Sequence, residues 1–96
     1  MQHPVVRTHP VTGRRGLFVN VQFTTRIMGL SADESQELLH LLWCQADRAE
    51  FQCRFRWEPG SAAFWDNCAA QHYAVSDYAP QHRVVERVAI VGSTPV

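Results

Sequence analysis

One histidine and two arginines are the residues of this 96-residue chain whose types and spacing could do chemistry. His72 lies between apolar residues, and Arg83 and Arg87 follow on a second apolar run. Imidazole is the commonest protein ligand for a divalent transition metal. A guanidinium can hold a carboxylate through two parallel hydrogen bonds. The three residues together therefore indicate a small organic acid laid across a metal, with the second arginine free for an anionic group on a substrate.

The same residues also have plainer interpretations, which the residue types alone leave open. A single histidine among apolar residues is often a hydrogen-bonded structural residue, and arginines on an edge strand often keep that edge soluble. The segment from Asp77 to Pro80 has the composition of a turn. Two short strands joined by that turn would lie side by side and bring His72, Arg83 and Arg87 around one pocket.

A helix is the clearest element that the sequence predicts, and we expect it over residues 31–47. Ser31 is a good N-cap, and Glu34 three residues later completes a capping box. An apolar face at helical spacing follows, formed by Leu38, Leu39, Leu41, Leu42 and Ala46. This face predicts packing against a sheet or against a further segment.

Strands are predicted before His72 and also across His72, Arg83 and Arg87. Residues 51–57 alternate between large apolar and polar side chains, which is typical of a half-buried strand. Further strands are expected at about 62–66, 70–75 and 83–91, with a short one at 17–21. The predicted fold class is mainly β with one helix, α+β.

Composition excludes several functional classes. Nine basic and nine acidic residues give a formal net charge of zero, so no electrostatic argument favours nucleic acid or an anionic membrane. No apolar run approaches the length of a membrane span, and the N-terminus lacks a signal-peptide pattern. Three cysteines are an odd number without short metal-binding spacing, which indicates a reduced, cytoplasmic chain and argues against a zinc module. We expect His3 and His9 to be structural or solvated.

Several motifs, in their order and spacing, resemble the C-terminal part of the taurine dioxygenase family, and the resemblance covers nearly the whole chain. This family of iron(II)- and 2-oxoglutarate-dependent dioxygenases includes alkylsulfate dioxygenases. The C-terminal motifs are Trp65-Asp66-Asn67, His72-Tyr73-Ala74, Asp77-Tyr78, Arg83 and Arg87. The upstream motifs are His3 to Pro10, Gly13-Arg14, Leu17 to Asn20 and Phe23 to Ile27.

The resemblance implies a role for each matching position. His72 matches the distal histidine of a two-histidine, one-carboxylate iron site, and Arg83 matches the arginine that pairs with the far carboxylate of 2-oxoglutarate. Arg87 matches the arginine that contacts the sulfonate or sulfate of the substrate, and Phe23 matches a phenylalanine of the substrate pocket. The implied reaction couples decarboxylation of 2-oxoglutarate to hydroxylation of a C–H bond next to that sulfur group.

Three departures from the family pattern matter. No histidine of this chain is followed two residues later by Asp or Glu, so the proximal ligand pair is missing from it. Cys68 stands where the family usually has arginine, and Glu86 adds a negative charge between the two anion-binding arginines. Alternation along a strand would point Glu86 to the opposite face.

We therefore expect residues 1–96 to form a single partial dioxygenase domain, the C-terminal portion of a double-stranded β-helix (jelly roll), incomplete by itself. The expected function is that of a C-terminal dioxygenase fragment which is inactive alone. The alternative is a non-catalytic module derived from the same fold, binding an anion or another protein. Expected partners are a small anionic organic substrate and either further copies of the chain or a chain that supplies the missing half.

Overall fold

A computed structural model describes residues 1–96 and contains one hairpin and one helix. Strands β1 (Val6–Thr8) and β2 (Arg15–Leu17) pair antiparallel, with Val6 opposite Leu17. Helix α1 spans Ala32–Ala46, and a short 3-10 helix follows at Ala49–Phe51. No helix of the chain is both long enough and apolar enough to cross a lipid bilayer.

The turn between β1 and β2 is organised by the side chain of His9. Its Nδ1 accepts hydrogen bonds from the backbone N–H groups of Val11, at 3.2 Å, and Thr12, at 3.1 Å. The His9 carbonyl accepts from the N–H of Gly13, which has a φ of 68°. Glycine adopts that left-handed conformation without a steric penalty, so Gly13 allows the turn to close.

Helix α1 begins at the predicted capping box. The Ser31 hydroxyl accepts from the Glu34 N–H at 3.3 Å, and the Glu34 carboxylate accepts from the Ser31 N–H at 2.9 Å. These hydrogen bonds lower the pKa of Glu34 from its ordinary value, because they stabilise the ionised carboxylate. The helix bounds lie within one residue of the predicted range at each end.

Only part of the helix's apolar face is covered. Leu39 is completely buried, whereas Leu38 and Leu41 remain exposed. Ser35 is also buried, and its hydroxyl accepts from the Ile27 N–H at 2.7 Å, which fixes the connector before the helix against its first turns.

The chain is open for its size. Its accessible surface is 9051 Å², against about 5,600 Å² for a compact protein of this mass. Its radius of gyration is 16.0 Å, against about 12.5 Å for a compact chain of this length. Val19 and Leu39 are the only buried apolar residues.

The structure corrects the predicted strands. Residues 51–57, 62–66, 70–75 and 83–91 form no strand, and residue 51 ends the 3-10 helix instead. Of the strand predicted at 17–21, only its first residue is in β2. Alternating side chains predict which side of a segment faces a core, but a strand also needs a hydrogen-bonded neighbour, and these segments have none. The chain contains both helix and strand, as the α+β class predicts. Strand does not predominate, however, because β1 and β2 are shorter than helix α1.

A tertiary contact joins the hairpin turn to the loop that precedes His72. Because Nδ1 of His9 accepts two backbone hydrogen bonds, its ring hydrogen lies on Nε2, which donates to Oδ2 of Asp66 at 2.6 Å. The second oxygen of Asp66 accepts from the Cys68 N–H at 2.7 Å. The His9 hydrogen bond, followed by that of Cys68, lowers the pKa of Asp66 from 3.8 to about 2.

Replacement of Ser31 by alanine tests the capping box. We expect Ser31→Ala to reduce the free energy of unfolding by about 1 kcal/mol, because the Glu34 N–H loses its acceptor. Thermal unfolding followed by far-UV circular dichroism measures the change. Ser93→Ala is the matched control, since Ser93 is exposed and its hydroxyl forms no hydrogen bond; equal effects of the two substitutions would contradict the role of the cap.

Acid titration tests the His9–Asp66 contact. The folded-state pKa of Asp66 is lowered, so its stabilising contribution is complete above about pH 4 and is lost as the pH falls towards about 2. Asp66→Asn keeps an acceptor for His9 but cannot titrate, so its free energy of unfolding should depend less on pH in that window. Urea unfolding at a series of pH values measures this, with Asp77→Asn as the exposed control. An unchanged pH profile in Asp66→Asn would show that the contact does not stabilise the fold.

Candidate iron-ligand and anion-binding residues

His72 lies after the short loop that Asp66 begins. The loop is closed by the Ala70 N–H donating to the Asp66 carbonyl at 2.9 Å. The imidazole of His72 is tilted against the indole of Trp65, with ring centroids 5.0 Å apart and an interplanar angle of 46°. The indole N–H of Trp65 donates to Oδ1 of Asn67 at 2.9 Å. His72 itself is exposed, and both ring nitrogens lack a protein hydrogen-bond partner.

The residue before His72 is tied to the segment that follows the hairpin. The side-chain amide of Gln71 donates to the Val19 carbonyl at 2.7 Å. Its oxygen accepts from Nδ2 of Asn20 at 3.1 Å. The sequence assigned no role to Gln71 or Asn20; the only signals were that Gln71 adjoins the predicted ligand and that Asn20 ends one of the upstream motifs.

The two predicted anion-binding arginines have no acidic partner. Arg83 is half-buried, and its guanidinium lies over the Tyr78 ring, 5.5 Å from the centroid. Tyr78 belongs to the predicted turn, which the Gln81 N–H closes by donating to the Tyr78 carbonyl at 2.7 Å. Arg87 is exposed, and neither arginine takes part in the ion pairs of the chain. Both guanidiniums are therefore available to an anion.

No direct contact joins the four predicted site residues in the structure. No hydrogen bond, ion pair or ring contact joins His72 to Arg83, Arg87 or Phe23, and Phe23 is 75% exposed. Two surface pockets, of about 310 and 390 Å³, lie at helix α1 and are lined by other residues. Convergence of the four residues on one cavity stays a prediction.

The chain does contain one cluster of possible metal ligands, at another place. Ligand atoms of His9, Asp66 and Cys68 lie within 4.8 Å of one another. A cation on Nε2 of His9 would have to move the ring hydrogen to Nδ1, where two backbone N–H groups already donate. We therefore assign this cluster a structural role, which is one of the two roles, structural or solvated, that the sequence leaves open for His9.

His72 is not part of such a cluster. No carboxylate, thiolate or second imidazole of this chain stands close enough to complete a group of three ligands with it. The residues present fit one ligand position of an iron site and do not form a complete site by themselves.

Comparison with known proteins identifies the family. The family model described as taurine catabolism dioxygenase TauD, TfdA family matches residues 1–89. An alpha-ketoglutarate-dependent sulfate ester dioxygenase from Pseudomonas putida is 48% identical over 95 residues, which cover 99% of this chain and 31% of the relative. An alkylsulfatase from Acinetobacter baylyi is 43% identical over 91 residues, covering 95% of this chain and 28% of the relative. An alpha-ketoglutarate-dependent sulfonate dioxygenase from Saccharomyces cerevisiae is 40% identical over 96 residues, covering 98% of this chain and 23% of the relative.

A solved structure agrees with the sequence comparison. The crystal structure of a taurine dioxygenase from Burkholderia xenovorans superimposes with a TM-score of 0.57 at 52% identity, over 58% of this chain and 20% of that protein. The chain thus spans between 23% and 31% of the length of the three relatives named above. Since the family model matches nearly all of its residues, the chain belongs to the taurine catabolism dioxygenase family, TauD/TfdA.

Proposed function

We propose that this chain forms the C-terminal share of an iron(II)- and 2-oxoglutarate-dependent dioxygenase that oxidises a sulfonate or a sulfate ester. The proposal rests on the exposure of the His72 side chain and on the absence of hydrogen bonds to its ring nitrogens. Its imidazole is exposed and free of protein hydrogen bonds, and it follows two anchored residues, Asp66 and Gln71. A metal ligand needs a free nitrogen on a segment that is held in place.

The arginines supply the anion-binding part of the proposal. Arg83 takes the far carboxylate of 2-oxoglutarate, and Arg87 takes the sulfonate or sulfate of the substrate. A guanidinium suits both tasks because it is always charged and donates two parallel hydrogen bonds to a planar or tetrahedral oxyanion. Phe23 packs against the carbon chain of the substrate. Bound iron supplies the activation of dioxygen.

A second polypeptide segment has to complete the site. His72 provides one ligand, and a facial iron site requires two histidines and one carboxylate. The open shape of the chain supports this part of the proposal, because its exposed apolar side chains between residues 64 and 91 offer surface for such a segment. That segment would correspond to the share of the relatives' length that these 96 residues do not span. None of the relatives named above is a non-catalytic module, so the alternative function is not favoured.

The three free cysteines support a cytoplasmic location. Thiols at or near the surface persist in a reducing compartment, where disulfides are rare.

Succinate release by the chain alone is the first test of the proposed function. We expect the purified 96-residue protein to release no succinate from 2-oxoglutarate when iron(II), ascorbate and either taurine or an alkylsulfate are supplied, because two of the three iron ligands are missing. Succinate is measured by chromatography, with the full-length Pseudomonas putida relative as the positive control. Clear turnover by the chain alone would refute its incompleteness.

A chimera with a complete enzyme is the second test of the proposed function. A chimera that carries residues 1–96 in place of the matching 31% of the Pseudomonas putida relative should consume 2-oxoglutarate with an alkylsulfate. In this chimera His72→Ala should abolish turnover. Arg83→Ala should raise the KM for 2-oxoglutarate and Arg87→Ala the KM for the alkylsulfate, each by about 10- to 100-fold, the cost of losing a charged hydrogen bond.

Arg54→Ala is the matched control for the chimera, since Arg54 is exposed and forms no ion pair. Both KM values should stay unchanged in it. If Arg83→Ala and Arg87→Ala affect the two KM values equally, or no more than Arg54→Ala, the division of roles between the arginines is wrong.

A further inference from the structure

Gln71 is the only side chain that links the segment of His72 to Val19 and Asn20, which follow strand β2. One amide group makes both contacts, donating to the Val19 carbonyl at 2.7 Å and accepting from the Asn20 side chain at 3.1 Å. A primary amide is suited to this, because it carries a donor and an acceptor side by side. Neither partner lies near it in sequence, so the bridge is a tertiary contact.

The two residues that Gln71 contacts, Val19 and Asn20, are fixed by burial and by hydrogen bonds. Val19 is 4% exposed and is one of the two buried apolar residues. Its neighbour Asn20 is also fixed, because the Asn20 N–H donates to the Thr24 hydroxyl at 2.9 Å and its side-chain oxygen accepts from the Gln22 N–H at 2.8 Å. Gln71 therefore connects the exposed His72 segment to an anchored one.

Residues 70–75 have no strand partners, so backbone hydrogen bonds do not orient His72. On its N-terminal side the loop is anchored through Asp66 to His9. Directly before His72 the bridge through Gln71 is the remaining restraint. The indole of Trp65 then limits which way the imidazole can turn.

We propose that Gln71 is a positioning residue, which holds the backbone at His72 through Val19 and Asn20 so that the imidazole presents its free nitrogen in one orientation. The consequence for iron binding rests on the proposed function of His72. The positioning itself is a property of this chain and is measurable without iron. Asn20 acts in the same bridge by orienting the amide of Gln71.

The contact between His72 and Trp65 gives a direct readout. At a centroid separation of 5.0 Å the indole ring current shifts the imidazole proton resonances of His72 away from their positions in an unfolded chain. We expect Gln71→Met, which keeps the side-chain length but lacks both hydrogen bonds, to move these resonances most of the way back. Proton NMR of the 96-residue protein measures the shift, with His72→Ala used to assign the signals.

Three further variants separate positioning from general destabilisation. Gln71→Glu keeps the acceptor for Asn20 but has no donor for Val19, so its effect should be intermediate. Asn20→Ala combined with Gln71→Met should change the His72 resonances no more than Gln71→Met alone. Gln81→Met is the matched control, because Gln81 is exposed and its side chain forms no hydrogen bond.

The outcomes are distinct. His72 resonances that move while the Leu39 methyl signals and the helical circular dichroism stay constant support the positioning role. Unmoved His72 resonances in Gln71→Met overturn it, and so does a shift that appears only together with loss of the helix signal. An inactive chimera refutes the proposed function and leaves the NMR result standing, so the two failures are distinguishable.

Discussion

Val19 and Leu39 are the only apolar residues that are buried in this chain, and that shortage of buried surface governs the rest of its structure. Burial of apolar area is the main favourable contribution to folding. With so little of it, ordering a chain of this length depends on local hydrogen bonds. The capping box of helix α1 and the His9-centred turn of the hairpin are both of this local kind.

Long-range order in the chain comes from a few polar side chains rather than from a core. His9 and Gln71 each connect the N-terminal region to the segment of His72, across more than fifty positions of sequence. Such contacts are directional, so they can set the position of one backbone segment without ordering its neighbours. They are also exposed or half-exposed, which limits what each contributes to stability. Contacts that are directional but contribute little stability suit the segment of His72, which they orient without burying it.

Family membership accounts for the presence of the motifs around His72, Arg83 and Arg87 in this chain. The relatives named above are longer proteins, and this chain matches 23% to 31% of their length. Apolar side chains between residues 64 and 91 are exposed in the chain, and the two guanidiniums have no acidic partner. Within this chain, His72 therefore has no neighbouring ligand group, and both arginines are available to an anion.

The sequence by itself determined the local features, because these depend on residues close together in the chain. Ser31 and Glu34 set the start of the helix, and the motifs along the chain indicated the family. The sequence could not determine strand pairing, since alternation at 51–57 predicts a buried side but names no neighbour to bond with. Only the tertiary structure decided that His9 contacts Asp66 and that Gln71 contacts Val19, because a hydrogen bond between distant residues depends on how the backbone between them is placed.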